Sequence, residues 1–252
     1  MKSQSNHQKS KRAHGCKQGY RTRIGDFLKH QWLNNRATIL FFTFVVIPIK
    51  SSFADVNWVP SGSMNPTIVE GDMVFVNKLA YDLRIPLTLH SLDHRADPKR
   101  GDITVLFSPR DGTRLVKRVI GTPGDEIRMA DNVLFINGQR ADYSKLSDDD
   151  SRDVHEQLRR VAVFAEEDLG DHVHSVMAIP SISNSKRSFD RMTIPKDSYF
   201  VMGDNRDNSL DSRYYGVVER KQFVGKASRV IVSFNILDKL QPRLSRFFKR
   251  LE

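Results

Sequence analysis

Residues 37–49 (ATILFFTFVVIPI) run thirteen positions without a charge. Nothing else in the 252-residue chain narrows its fate as much. Such a run has to be covered, by lipid or by protein. As a helix it spans about 20 Å, against about 30 Å of bilayer hydrocarbon. It is apolar on every face, and Trp32 and Trp58 flank it as interfacial aromatics do. Lys50 can snorkel, which extends the segment to about residue 53. Ser52-Phe53-Ala54 carries the small-residue spacing of a leader cleavage site. The basic region ahead of the run is long for a cleaved leader, so the expectation is an uncleaved membrane anchor over 37–53.

Charge supports that orientation. The formal net charge is +10, but residues 1–36 hold nine Lys/Arg against one acid, Asp26. The other 216 residues carry 31 cations and 29 anions, so the folded part is close to neutral. A nucleic-acid-binding domain would concentrate its excess on the folded part. Here it precedes the apolar run, the positive-inside pattern of a cytoplasmic arm. That arm, lacking apolar periodicity, is read as disordered. Nucleic acid is therefore not an expected partner, whereas membrane lipid is. The single cysteine, Cys16, rules out an internal disulfide and a cysteine-built metal site. His90 and His94 stand at helical spacing with no accompanying carboxylate or cysteine motif, so no metal is expected there.

Downstream of residue 54 the pattern alternates as strands do. Gly71–Lys78, Gly101–Phe107, Thr113–Ile120, Val133–Gln139, residues 161–179 and Tyr199–Met202 read as strands. Phe223–Phe234 reads as a strand pair about Gly225. Asn137-Gly138 marks a hairpin turn. Residues 80–98 read as loop, and 141–160 as a solvated segment with a short helix. His172 and His174 are expected to share one strand face. At the C-terminus, Leu240, Leu244, Phe247, Phe248 and Leu251 would share one face of a helix with Lys and Arg around it. That predicts a basic amphipathic tail, 238–252, packed on the domain or lying on anionic lipid.

Three stretches carry chemistry. Pro60-Ser61-Gly62-Ser63-Met64-Asn65-Pro66-Thr67 combines hydroxyls with residues that fix tight turns. Lys117 lies mid-strand, sharing a face with Leu115 and Val119. A desolvated lysine titrates well below its ordinary 10.4 and can act as a base. Gly203 to Gly216 is dense in Asp, Asn, Ser and Arg, which suggests a hydrogen-bonded network. An EF-hand reading fails there: counting from Asp204, the sixth position is Ser209 and the twelfth is Tyr215. No histidine lies near Ser63 or within the other two stretches, so a Ser-His-Asp triad has no base.

Together, and in this order behind an apolar segment, the three stretches resemble the boxes of the type I signal peptidase (leader peptidase) family, over about residues 37–235. The resemblance implies Ser63 as nucleophile and Lys117 as general base, a Ser-Lys variant of triad logic. It implies Ser209 as the residue orienting the lysine. The Ser63 N–H and Ser61 hydroxyl would form the oxyanion hole, and Asp204, Asp211 and Arg213 would brace the site. Asn57, Val59, Pro60, Leu115 and Val116 would pair with an extended signal peptide as an added strand. The implied substrates are secretory preproteins with small residues at the cleavage site, and no cofactor is implied. The implied location is a bacterial inner membrane, single-pass, with the N-terminus cytoplasmic and the catalytic part outside.

The expected fold is mainly β: an antiparallel catalytic core (54–126 and 191–237), an inserted smaller β lobe (127–190), and one preceding transmembrane helix. Two other functions fit the same residues. One is a peptidase dedicated to a single precursor, such as a pilus or conjugation protein. The other is a catalytically silent module that only holds signal peptides.

Overall fold

The computed structural model describes residues 35–46, 52–85, 88, 90–147, 151–236 and 238–251. The basic arm up to residue 34, with Cys16 and Trp32, lies outside them, as do residues 47–51 of the expected anchor and the three aspartates at 148–150. The chain forms two compact units, Met1–Ile49 and Lys50–Glu252. In the first, residues 35–41 are α-helical and Phe42–Val46 continue as a π-helical turn. Among the described residues no helix is long and apolar enough to cross a membrane. Twelve helical residues reach only about 18 Å. The strand register begins at Ala54, the residue that follows the last one of the expected anchor.

The second unit is mainly antiparallel β. Its strands are β1 (Ala54–Trp58), β2 (Asp72–Asn77), β3 (Asp82–Arg84), β4 (Ser91–His94), β5 (Ile103–Phe107), β6 (Arg114–Gly121), β7 (Glu126–Ala130), β8 (Val133–Ile136), β9 (Gln139–Arg140), β10 (Asp142–Lys145), β11 (Val163–Asp168), β12 (Val173–Ala178), β13 (Phe189–Thr193), β14 (Ser198–Met202), β15 (Val218–Glu219), β16 (Phe223–Asn235) and β17 (Gln241–Pro242). The largest sheet runs β1-β2-β16-β5-β6-β14-β15, with β17 beside β16. Two smaller sheets, β13-β7-β8-β9 and β10-β11-β12, come from the middle of the sequence, and β3-β4 forms a small hairpin sheet. One apolar cluster joins Ile120 and Phe200 of the large sheet to Ile127, Leu134 and Ile136 of the four-stranded one. A second gathers Val59, Met64, Ile68, Val74, Ile103 and Val230, with Val116 against it.

Local chemistry explains the turns. Asn137 and Gly138 both adopt positive φ, 52° and 79°, and close the β8–β9 hairpin with Ile136 opposite Gln139. Those are the signs a two-residue I′ turn requires. The stretch at 80–98, expected as loop, contains the β3–β4 pair. A four-residue helix, Glu156–Arg159, occupies the mixed-charge segment.

Two expectations change. Phe223–Phe234 is one long strand, not a pair. It faces β5 with its first residues and β2 with the rest, and register shifts bend it between them. At Gly225 a Cβ would stand 2.6 Å from Asn77 O, so the strands can approach only because that side chain is missing. The tail is not an amphipathic helix. It contains β17, a single 3-10 turn at Leu244–Arg246 and a bridge from Arg250 to Arg229. Arg246 is wholly buried, its Nε and Nη2 on Asp72 Oδ1 and Oδ2 at 3.0 and 2.6 Å. Leu251 enters the second cluster, while Leu240, Leu244 and Phe248 face outward. One buried ion pair thus overrides a helical repeat of apolar residues.

Candidate active site

The turn between β1 and β2 carries Ser63. Gly62 is fixed there by crowding: a Cβ would meet Glu70 Oε1 at 2.2 Å and Asn65 Nδ2 at 2.6 Å. Asn65 N donates to Gly62 O, and Ile68 N to Met64 O, which closes the turn. From across the unit, Arg246 Nη2 donates to Thr67 O at 2.9 Å and Arg243 Nη1 to Glu70 O at 2.8 Å. Met64 and Ile68 anchor the loop in the core.

Lys117 sits on β6, held on one side by β5, with Thr104 opposite it. Only 2% of it is exposed. Its Nζ donates to Ser63 Oγ at 2.8 Å. Burial pushes the lysine down to about 8, and the more distant carboxylates of Asp211 and Asp204 oppose the shift without undoing it. A neutral fraction of this amine therefore exists near physiological pH, within hydrogen-bonding reach of a hydroxyl.

The stretch after β14 clamps the serine loop. Asn205 N donates to Ser63 O at 3.1 Å, and Asn205 Nδ2 to Gly62 O at 3.0 Å. At Gly203 a Cβ would lie 2.4 Å from Ser63 O and 2.3 Å from Ser209 Oγ, so only glycine lets the two loops touch. Gly203 N donates to Asp211 Oδ2 at 3.0 Å. Asp211 caps the short helix Ser212–Tyr215 and takes both Nε and Nη2 of Arg213 at 2.8 Å. Desolvation alone would raise the Asp211 carboxyl, and the Arg213 guanidinium reverses that to hold it below the usual range. Asp204 does not meet Arg213. It takes Nε and Nη2 of Arg118 at 2.9 and 3.0 Å, and is likewise kept low against its own desolvation.

The remaining sequence-derived positions divide. Ser209 is buried beside Gly203. It has no well-formed partner, so the bond to Lys117 that the resemblance implied is not made. Ser61 is exposed at the lip of the turn. Val59 is buried, Asn57, Leu115 and Val116 are half-buried, and Pro60 is exposed. His174 on β12 is buried with its Nε2 3.3 Å from Glu167 Oε2. His172 lies just ahead of that strand, stacked on His174 at 5.5 Å and 3.0 Å from Arg118 Nη1. Among the described residues no cluster of His, Cys, Asp or Glu could hold a metal.

Sequence reasoning passed over Arg118 and Asn205. Both lie inside the stretches it singled out. Arg118 follows Lys117, where alternation points it to the opposite face and hence toward a different partner. Nothing in the sequence marks Asn205 as the residue that bonds two successive carbonyls.

Comparison with known proteins agrees with this geometry. The family model described as signal peptidase, peptidase S26, matches residues 31–232. Signal peptidase I of Buchnera aphidicola subsp. Acyrthosiphon pisum is 34% identical, over 82% of this chain and 77% of its own. Signal peptidase I of Pseudomonas aeruginosa is 35% identical, over 76% and 69%. A solved signal peptidase I from Enterococcus faecalis covers 53% of this chain and 98% of its own, at 30% identity and a TM-score of 0.33. With the family model spanning most of the sequence, this chain belongs to the signal peptidase family, peptidase S26, and is a serine endopeptidase.

Proposed function

We propose that this protein removes N-terminal signal peptides from secretory preproteins, with Ser63 as nucleophile and Lys117 as general base. The observation that carries the reading is the 2.8 Å contact between a buried amine and a hydroxyl, with no carboxylate on the amine. In its neutral form the amine accepts the Ser63 proton along that contact as Oγ attacks the scissile carbonyl. It then returns the proton to the leaving amine, and water repeats the cycle on the acyl-enzyme. No cofactor enters these steps. Asn205 holds the carbonyls of Gly62 and Ser63, and among the described residues nothing accepts from the Ser63 N–H. In this reading that N–H, with the Ser61 hydroxyl, receives the oxyanion.

Substrate lies between two strand edges. Among the described residues β1 pairs only with β2, and β14 reaches β6 only at Arg118–Gly121. Asn57–Pro60 and Leu115–Val116 therefore keep a free edge each, to which an extended signal peptide adds as a strand. Val59 and Val116 give a shallow apolar floor that suits small side chains. Strands β8 to β12 then fall in the inserted lobe (127–190), β7 and β13 cross its two boundaries, and the other strands up to residue 237 belong to the catalytic core (54–126 and 191–237). The basic arm stays cytoplasmic, the apolar run at 37–49 anchors the chain in the bilayer, and the catalytic unit works on the far side.

The test is cleavage of a preprotein with an Ala-x-Ala site by the purified full chain. Ser63→Ala and Lys117→Met are each expected to abolish it while circular dichroism stays unchanged. Cleavage by folded Lys117→Met would sink the dyad.

A further inference from the structure

An ion pair joins the two free edges described above. Arg114, the first residue of β6, places Nη1 3.1 Å from Asp55 Oδ2 on β1. Lys78, just after β2, adds Nζ at 3.6 Å to the same oxygen. Asp55 Oδ1 meanwhile accepts from the Val56 N–H at 2.9 Å, which fixes the carboxylate rotamer. In the sheet order β1 and β6 are separated by β2, β16 and β5, so no backbone ladder connects them. The sheet must curl until its first strand approaches its fifth, and the Asp55–Arg114 pair is what spans the opening. A single added strand needs two inter-strand spacings, about 10 Å in all. An aspartate meeting an extended arginine side chain suits that gap; two short side chains would not.

The placement along the strands is informative as well. Arg114 precedes Lys117 by three residues, about 10 Å of strand. Asp55 and Asn57 lie on one face of β1, and Arg114 and Val116 on one face of β6. Val116 on that face packs with Val59 against the apolar floor. The pair therefore sits at the far end of the same slot, away from Ser63. Asp55 is the more buried partner, with 10% of its side chain exposed against 35% for Arg114.

We propose that Asp55 and Arg114 form a strap across the substrate slot. It holds the two pairing edges one strand apart, so they are positioning residues for the preprotein rather than catalytic ones. The inference rests on the peptidase reading for the nature of the occupant. Without the strap, β1 can drift from β6, and substrate has to restore the spacing as it binds. Binding weakens while the Ser63–Lys117 contact stays intact.

The experiment uses the full chain with Asp55→Asn, Arg114→Gln, and the charge-reversed double variant Asp55→Arg with Arg114→Asp. Cleavage kinetics are measured on a signal-peptide substrate with an Ala-x-Ala site. Each single variant is expected to raise KM about two- to fivefold, the scale of a half-exposed ion pair, with kcat unchanged. The reversed double variant is expected to return KM to within about twofold of the parent. The same variants placed in a Ser63→Ala background are titrated with uncleaved signal peptide, and Kd is expected to shift in parallel. This second arm separates the two readings: if the parent cleaves nothing, the peptidase assignment fails, yet Kd still reports on the strap. Loss of kcat at constant KM overturns the strap. So does failure of the reversed pair to restore KM or Kd in protein whose melting temperature matches the parent, or absence of peptide binding altogether.

Discussion

Lys117 and Arg118 are consecutive residues of one strand, both almost fully buried, and they solve the problem of a buried cation in opposite ways. Arg118 is matched: Asp204 takes it in two parallel hydrogen bonds and Gly101 O takes a third at 2.8 Å. Lys117 has only a serine hydroxyl, so burial acts on its proton instead and the amine is brought down to about 8. Alternation along the strand is what separates the two. One side chain is structural because its charge is matched. Its neighbour loses its proton more readily because its charge is not.

The largest effect should come from cancelling the unmatched member. Ser63→Ala or Lys117→Met is expected to lower kcat/KM by on the order of 10⁴-fold or more, measured on a preprotein. Unpairing the structural member comes next. Asp204→Ala leaves the Arg118 guanidinium buried without its carboxylate, and about 3–5 kcal/mol of stability should be lost in urea titration. Burial of Lys117 makes a converse prediction. A lysine whose folded pKa lies below its unfolded one costs stability in full below the folded value, and the cost disappears as pH rises to the unfolded value. Lys117→Met should therefore gain up to about 3 kcal/mol at pH 7, and the gain should shrink between pH 8 and 10.5. If Lys117→Met is no more stable than the parent at pH 7, the lysine is not held dry.

The same proton sets the rate profile. With Lys117 as the proposed general base, cleavage needs the neutral amine, so kcat/KM should rise with pH and level off above about 8 in protein that stays folded. A profile flat from pH 5 to 9 would contradict the general-base role. The smallest catalytic effect is expected at Asn205. Asn205→Ala frees two carbonyls of the serine turn, and kcat should fall about tenfold with little change in KM.

The strands within residues 103–121 were readable from their apolar and β-branched runs, although both faces are buried over most of their length, and Lys117 stood out as a cation among apolar neighbours. The hairpin at Asn137-Gly138 was readable from its own two residues. What escaped was long-range. The pairing of Asp204 with Arg118 rather than Arg213 depends on which strand lies beside which, and no local pattern encodes it. The tail shows the same limit: its apolar spacing fits a helix, but Asp72, 174 positions away in the chain, draws Arg246 inward and unwinds the repeat. The resemblance implied that Ser209 orients the lysine, whereas its buried hydroxyl here has no hydrogen-bond partner.

Arg243 and Arg246 donate to the carbonyls of Glu70 and Thr67. The loop that carries Ser63 is thus held by side chains 173 and 179 positions further along the sequence. A cut or substitution near residue 245 slackens that turn from a distance, without touching Ser63 or Lys117.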